Sequence, residues 1–240
     1  REDMSGGRFR YFNVVVEETD LQIGILAHEY TENIVCAAEQ KVSALRADLK
    51  MYILLHPEFL MSHSPLVEDV AAPEIAYRMI QHTIDAFVGP MAAVAGAFAE
   101  LTGEFLCSRF GLSELIVENG GDIWMTLCKP VVVRIDAGLS FLSKQVGIEI
   151  VPAQTPCGIC TSSGTTGHSF SYGRADAVSV ISSSAAKADA WATALCNQIS
   201  KTSDLERVVL VAQQNKGIAG VAAIMNDTMA VCGNINLRKI

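Results

Sequence analysis

The chain has 240 residues, half of them hydrophobic and 18% charged, a core-rich composition that excludes a disordered chain. Its net charge of −8 argues against a nucleic-acid partner, because an acidic surface repels phosphate backbones. The longest uncharged candidate for a membrane span, residues 86–99, contains Gly89, Pro90 and Gly96 and falls short of the roughly 20 apolar residues a bilayer requires.

In chain order, residues 11–17 and 21–27 are rich in β-branched and aromatic residues and predict a hairpin about the polar turn Glu18-Thr19-Asp20. Residues 31–55 switch to a helical period. Ile34, Val35, Ala38, Val42, Leu45, Leu49 and Tyr52 recur at steps of three and four. Residues 56–73 read as a polar connection. Pro73 then suits a first helical turn, with Ile75, Met79, Ile80, Ile84 and Phe87 as the apolar face. Gly89-Pro90 breaks that helix and opens another, 91–110, apolar nearly all round and therefore central. Its small residues, Ala92, Ala93, Ala95, Gly96 and Ala97, allow close approach by other backbone or by a ligand.

Beyond Gly111 the period becomes strand-like at 115–117, 123–127, 131–135 and 146–151. Residues 157–172 form a Gly-, Ser- and Thr-rich stretch, 177–181 a strand, and Ser182-Ser183-Ser184 offers cap hydroxyls for a helix over 185–199. Residues 207–212, 218–225 and 228–232 are expected to complete the sheet. Helices mostly first and strands mostly later predict an α+β fold, with residues 1–240 as one domain.

Residues 1–4 carry no apolar h-region, so no signal peptide is expected. Seven cysteines, an odd count, lie mostly in apolar runs. That fits buried thiols in a reducing compartment, and a cytoplasmic protein, better than a disulfide framework.

Three polar clusters could carry chemistry. In Glu118-Asn119-Gly120-Gly121-Asp122, the Asn and Gly residues tolerate positive φ, so the stretch is either an anion-holding nest flanked by carboxylates or a plain hairpin turn. The second, residues 157–169, packs six hydroxyls and three glycines from Gly158 onward. Thr161, Ser162, Ser163, Gly164 and Thr165 could wrap a phosphate or ribose, or bond locally. No Lys follows its glycines as a Walker loop requires, and Gly-x-Ser-x-Gly is missing. Cys157-x-x-Cys160 could be a redox pair, half a zinc site or two core cysteines. His168 is a base, a ligand or a hydrogen-bonded loop histidine. His56 and His63 are weaker metal candidates. In the third cluster, Asp189 and Thr193 at i, i+4 share a helix face among Ala185, Ala186, Ala190 and Ala192. A carboxylate beside a hydroxyl suits Mg²⁺, which takes few protein ligands; a solvated face is the alternative. The functional reading requires all three clusters to meet at one pocket.

Taken in order, three segments resemble the ApbE-like superfamily, known for flavin transferases that move FMN from FAD onto a protein Thr or Ser. Val88-Gly89-Pro90-Met91-Ala92-Ala93-Val94-Ala95-Gly96-Ala97-Phe98-Ala99 is similar to its Gly/Ala-rich helix. Val117-Glu118-Asn119-Gly120-Gly121-Asp122-Ile123 is similar to its glycine turn, and Ala188-Asp189-Ala190-Trp191-Ala192-Thr193-Ala194-Leu195 to its late helix. Thr161-Ser162-Ser163-Gly164 sits where the family has a Thr-Ser-Gly stretch. The resemblance is nearer to a smaller, uncharacterised branch, some of whose members are associated with assimilating sulfur into homocysteine. It implies an ApbE-like fold with a T-fold-related core and an antiparallel or mixed sheet. It also implies a metal held by Asp189, Thr193 and the carbonyl of Ala92. The family's flavin-contacting Asp and Lys fall at Gly89 and Ala95, so the cation site is kept while two contacts to FAD or FMN are lost. The resulting expectation is a small phosphorylated or nucleotide-like ligand with Mg²⁺, with flavin transfer to a partner protein and a non-catalytic assembly role as alternatives, and with self-association left open.

Overall fold

The computed structural model describes residues 7–165 and 172–240. The chain opens with β1 (Phe9–Val16) and β2 (Thr19–Leu26), then α1 (Glu32–Leu55), α2 (Glu58–Met61) and α3 (Glu74–Ile84). A 3-10 turn, Pro90–Ala93, leads into α4 (Val94–Phe110). Next come β3 (Leu115–Asn119), β4 (Asp122–Thr126), β5 (Val131–Arg134), β6 (Val146–Ile150), β7 (Cys157–Ser162) and β8 (Ala177–Ser182). The order finishes with α5 (Ala185–Cys196), α6 (Leu205–Gln213), β9 (Ile218–Met225), β10 (Thr228–Gly233) and β11 (Asn236–Lys239).

Eight strands form one sheet in the order β1-β2-β3-β4-β7-β8-β9-β10, and three form a second, β11-β6-β5. Each described pairing is antiparallel. The fold is therefore α+β with antiparallel sheets, as the sequence predicts. The helices pack on one face of the large sheet, against Leu21, Ile23, Val117, Trp124, Cys160 and Val180. The opposite face, with Met125, Cys157, Ile159 and Ile181, packs on Ile148 and Ile150 of the small sheet. Alternation along each strand sends successive side chains to opposite cores. β7 and β8 lie mid-sheet and are buried on both faces, which is why they read as near-continuous apolar runs.

Three expectations are corrected. Residues 207–212 are not a strand but the body of α6. Leu205, Val208, Val209 and Ala212 are buried at helical spacing, while Leu210 and Val211 face outward; a short β-branched run carries no decisive period. The hydroxyl-rich stretch begins as strand rather than loop, since 157–162 pair with both β4 and β8. The connection 56–73 holds the short helix α2, and β11 was not foreseen.

The two small-residue helices, α4 and α5, cross closely. Gly96 of α4 lies against the Ala185 carbonyl of α5, and a Cβ there would also stand 2.9 Å from Asp189 Cβ. Gly158 of β7 lies against Ala185 backbone, and Gly103 leaves room for the Trp124 ring. Gly96→Ala is expected to destabilise the protein by about 1–3 kcal/mol, the usual range for an overpacked site that cannot relax. Urea unfolding measures this; an unchanged midpoint would show that the two helices are free to separate.

Candidate functional site

Helix α4 starts at Val94 without a side-chain cap of its own. Its free first-turn amides need acceptors. One comes from another helix: the Gly96 amide donates to Asp189 Oδ2 at 2.9 Å, and the Ala95 amide also favours the charged carboxylate. Helix α5 starts after Ser184, whose Oγ accepts from the Lys187 amide. Here the extra acceptor comes from α4. Glu100 Oε2 accepts from the Ala186 amide at 2.9 Å and from Ser184 Oγ at 2.7 Å. Each helix thus supplies a buried carboxylate to the other's N-terminus, where the helix dipole favours negative charge.

The two carboxylates differ in their neutralisation. Glu100, 3% exposed, is paired with Arg78 at 2.5 Å, and Arg78 also reaches Glu104. Asp189, 7% exposed, pairs with no described Lys, Arg or His. Its close charged neighbour is a second acid, Asp122, 6% exposed and likewise without a described cation partner. Burial, and then Asp122, push the Asp189 carboxyl well above its usual range. Burial pushes Asp122 up to about 7, opposed by the nearby Cys160 thiol and the bond from the Thr161 amide and reinforced by Glu118.

The other predicted residues gather around this pair. Gly120 and Gly121, at φ +64° and +108°, close a two-residue hairpin in which Asn119 faces Asp122. Its backbone is the plain turn the Asn-Gly signal predicts, but its flanking side chains reach inward. Asn119 Nδ2 donates to the Ala95 carbonyl at 3.2 Å, and Asp122 Oδ1 accepts from the Thr161 amide at 3.3 Å. Ser162 Oγ lies 3.1 Å from Thr193 Oγ1 on the helix face of the sheet, whereas the Thr161 side chain turns to the opposite face, 2.8 Å from Ser179 Oγ. Ala92, on the 3-10 turn that packs against α5, is half-buried. Farther out, Thr165 Oγ1 donates to Asp176 and lies near Ser163 Oγ, while the Gly164 amide donates to the Ala175 carbonyl. His168 lies outside the described residues.

The three clusters therefore converge, through direct contacts rather than as separate walls of an open cavity. The groups that the resemblance implies for a metal, the Asp189 carboxylate, the Thr193 hydroxyl and the Ala92 carbonyl, are all hard oxygens, the chemistry Mg²⁺ prefers. Among the described residues no group of three or more His, Cys, Asp or Glu is placed to hold a metal. Cys157 and Cys160 cannot act as a pair. Three apart on a strand, they face opposite cores. Burial pushes both thiols up, Cys157 to about 12, so neither supplies a thiolate. Cys160 donates instead to the Ala185 carbonyl at 3.3 Å. His56 stacks on Tyr52, while His63 meets Tyr172 and its backbone lies against Gly89.

Sequence reasoning missed Glu100 and Arg78. The available signal was a lone acid inside an apolar helix, which burial permits only when it is paired.

Residues 1–227 match the family described as "AbpE bacteria". The chain belongs to that family. A UPF0280 protein of Methanocaldococcus jannaschii is 36% identical over 228 residues, covering 92% of this chain and 90% of the relative. A UPF0280 protein of Methanosphaerula palustris is 43% identical over 162 residues, 68% of each. Among solved structures, the flavin transferase ApbE of Vibrio cholerae superposes with a TM-score of 0.57 at 16% identity, covering 93% of this chain and 96% of that one. The apo flavinyl transferase ApbE of Pseudomonas stutzeri gives 0.57 at 12% identity and 96% of both chains. At these identities the shared property is the ApbE fold. No helix among the described residues is long and apolar enough to cross a membrane.

The acid pair makes stability depend on pH with a definite sign. Asp122 binds its proton more tightly folded than unfolded, its value rising from 3.8 to about 7. The protonated form's contribution is complete below the unfolded value and is lost as pH rises through the folded one. In chelator-treated protein, Asp122→Asn should therefore gain stability relative to the parent between pH 4 and 7.5, by on the order of a few kcal/mol at the upper end. Thermal melts across that range measure it; a difference that shrinks with rising pH would reverse the assignment.

Proposed function

We propose that this chain is a divalent-metal-dependent protein that binds a small phosphorylated or nucleotide-like ligand. Asp189, Thr193 and the Ala92 carbonyl would hold Mg²⁺. The Asn119–Asp122 turn, with Glu118, Gly120 and Gly121, and the segment Thr161, Ser162, Ser163, Gly164 and Thr165 would shape the ligand site. The observation that carries the reading is the electrostatic imbalance between the two helix caps: Glu100 has its arginine, whereas Asp189 and Asp122 share a buried site without a described cation partner. A bound cation supplies the missing positive charge and returns both carboxylates to their ionised forms. The sulfur-metabolism role implied by the sequence resemblance is part of this proposal and would use the same site.

FMN transfer from FAD is the second reading, favoured by the shared fold. One local feature weighs against it. A side chain at Gly89 would run into the Ser62 carbonyl, so the space an acidic flavin contact would need is filled by backbone. Ala95 likewise offers no cation, and its carbonyl is already taken by Asn119. No turnover of FAD in Mg²⁺ is expected.

Thermal shift with Mg²⁺, then with Mg²⁺ and an adenine nucleotide or FAD, tests the proposal. A ligand at about 100 times its Kd adds about 2.7 kcal/mol of native-state stability, roughly 5–10 °C for a chain of this size. Asp189→Asn, which keeps an acceptor for the Gly96 amide but removes the charge, and Thr193→Val should each abolish the Mg²⁺ shift. An equal shift in both variants, or none in the parent, would leave only a scaffold role.

A further inference from the structure

A second functional surface lies away from the acid pair, where α1 ends. Two adjoining grooves of about 370 and 410 Å³ share Tyr52, His56 and Asp69 in their walls. Tyr52 stands at their centre, stacked on the His56 ring at 4.4 Å and donating to Asp69 Oδ2 at 2.8 Å. The walls include apolar side chains left in solvent: Met51 is 57% exposed, Leu55 71% and Val67 90%. Exposed apolar side chains gathered in a groove mark interaction sites more often than they do when scattered singly.

The charge of this groove is one-sided. Asp48, Glu58, Glu68 and Asp69 line it, and no lining residue is Lys or Arg. Glu68 accepts from Tyr77 and Gln81, and Asp69 from Tyr52 and the Ala71 amide; these donors are neutral and leave the negative charge in place. None of the four carboxylates forms an ion pair with a described Lys or Arg, and the one basic side chain in the walls, His56, lies 3.5 Å from Glu58 through Nδ1. The 24-residue helix α1 also ends here without a basic residue in its last turn, so its C-terminal carbonyls add to the negative potential.

We propose that the groove formed by the end of α1, α2 and residues 62–73 docks a basic, amphipathic segment of a partner protein. Apolar residues of that segment would cover Met51, Leu55 and Val67, and its Lys or Arg side chains would meet the four carboxylates. Helix-in-groove recognition combines these same elements, and complementary charge fixes its register and speeds its arrival. A small amine would use the carboxylates but leave the apolar wall wet. A second copy of this acidic chain would bring like charge to the groove.

Fluorescence anisotropy of a labelled amphipathic Leu/Lys peptide, titrated with the full chain, tests the proposal. Saturable binding is expected, weakened about tenfold or more by the triple change Asp48→Asn, Glu58→Gln, Glu68→Gln and also by Leu55→Ser with Val67→Ser. A control with Asp20→Asn, Glu39→Gln and Glu206→Gln removes the same charge elsewhere and should bind as the parent does. Equal weakening in the control would reduce the effect to net charge and overturn the site. So would an absence of saturable binding, or a solution mass of two copies that Leu55→Ser returns to one.

Discussion

Two helices that cap each other hold this fold's centre. α4 gives Glu100 to the start of α5, and α5 gives Asp189 to the start of α4. Each bond satisfies an amide that would otherwise be buried without an acceptor. Charge-assisted bonds of this kind are worth about 1.5–3 kcal/mol. The exchange needs the helix axes unusually near each other, and the sequence provides for that. Gly96 and Ala185 meet where larger side chains would hold the helices apart, and Gly158 lets the sheet come up beneath Ala185. Small residues, buried acids and the sheet are thus one construction, and a change in any part displaces the carboxylates.

The same construction sets the charge balance of the proposed site. Two buried caps would be equivalent if both were neutralised, but of the two only Glu100 is paired with Arg78. At the other end Asp189 meets Asp122, delivered by the glycine hairpin, with the Ser162–Thr193 hydroxyl pair alongside. Burying two acids together costs stability unless they are protonated or countered by positive charge. A hard-oxygen site with that imbalance is a reason to expect a cation, and the structural role of Asp189 is compatible with it: a carboxylate has two oxygens, and the Gly96 amide takes Oδ2.

Much of this was legible in the sequence because it depended on local periodicity. The i, i+4 spacing of Asp189 and Thr193, the Asn119-Gly120 turn and the small residues of 92–97 all encode geometry over a few positions. What stayed hidden depended on contacts distant in sequence. Glu100 finds Ala186 across 86 positions and Arg78 across 22; an acid in an apolar helix signals that it needs partners, but nothing local says which. The Cys157–Cys160 motif stayed open between redox pair, zinc half-site and core cysteines because its meaning changes with backbone: three apart on a helix they would be neighbours, but on β7 they belong to different cores. Residues 207–212 failed for the reverse reason. Val208, Val209 and Val211 favour a strand by propensity, and packing of α6 against β9 and β10 overrides it.

Anomalous diffraction from Mn²⁺-soaked crystals would show whether the uncompensated cap is a cation site. A cation there gives a single strong peak about 2.1 Å from an Asp189 carboxylate oxygen and Thr193 Oγ1, a normal metal–oxygen distance for such ions, lost in Asp189→Asn crystals. A peak on other residues, or an empty site beside an intact Asp189–Gly96 bond at saturating Mn²⁺, would contradict it and leave Asp189 as a helix cap alone.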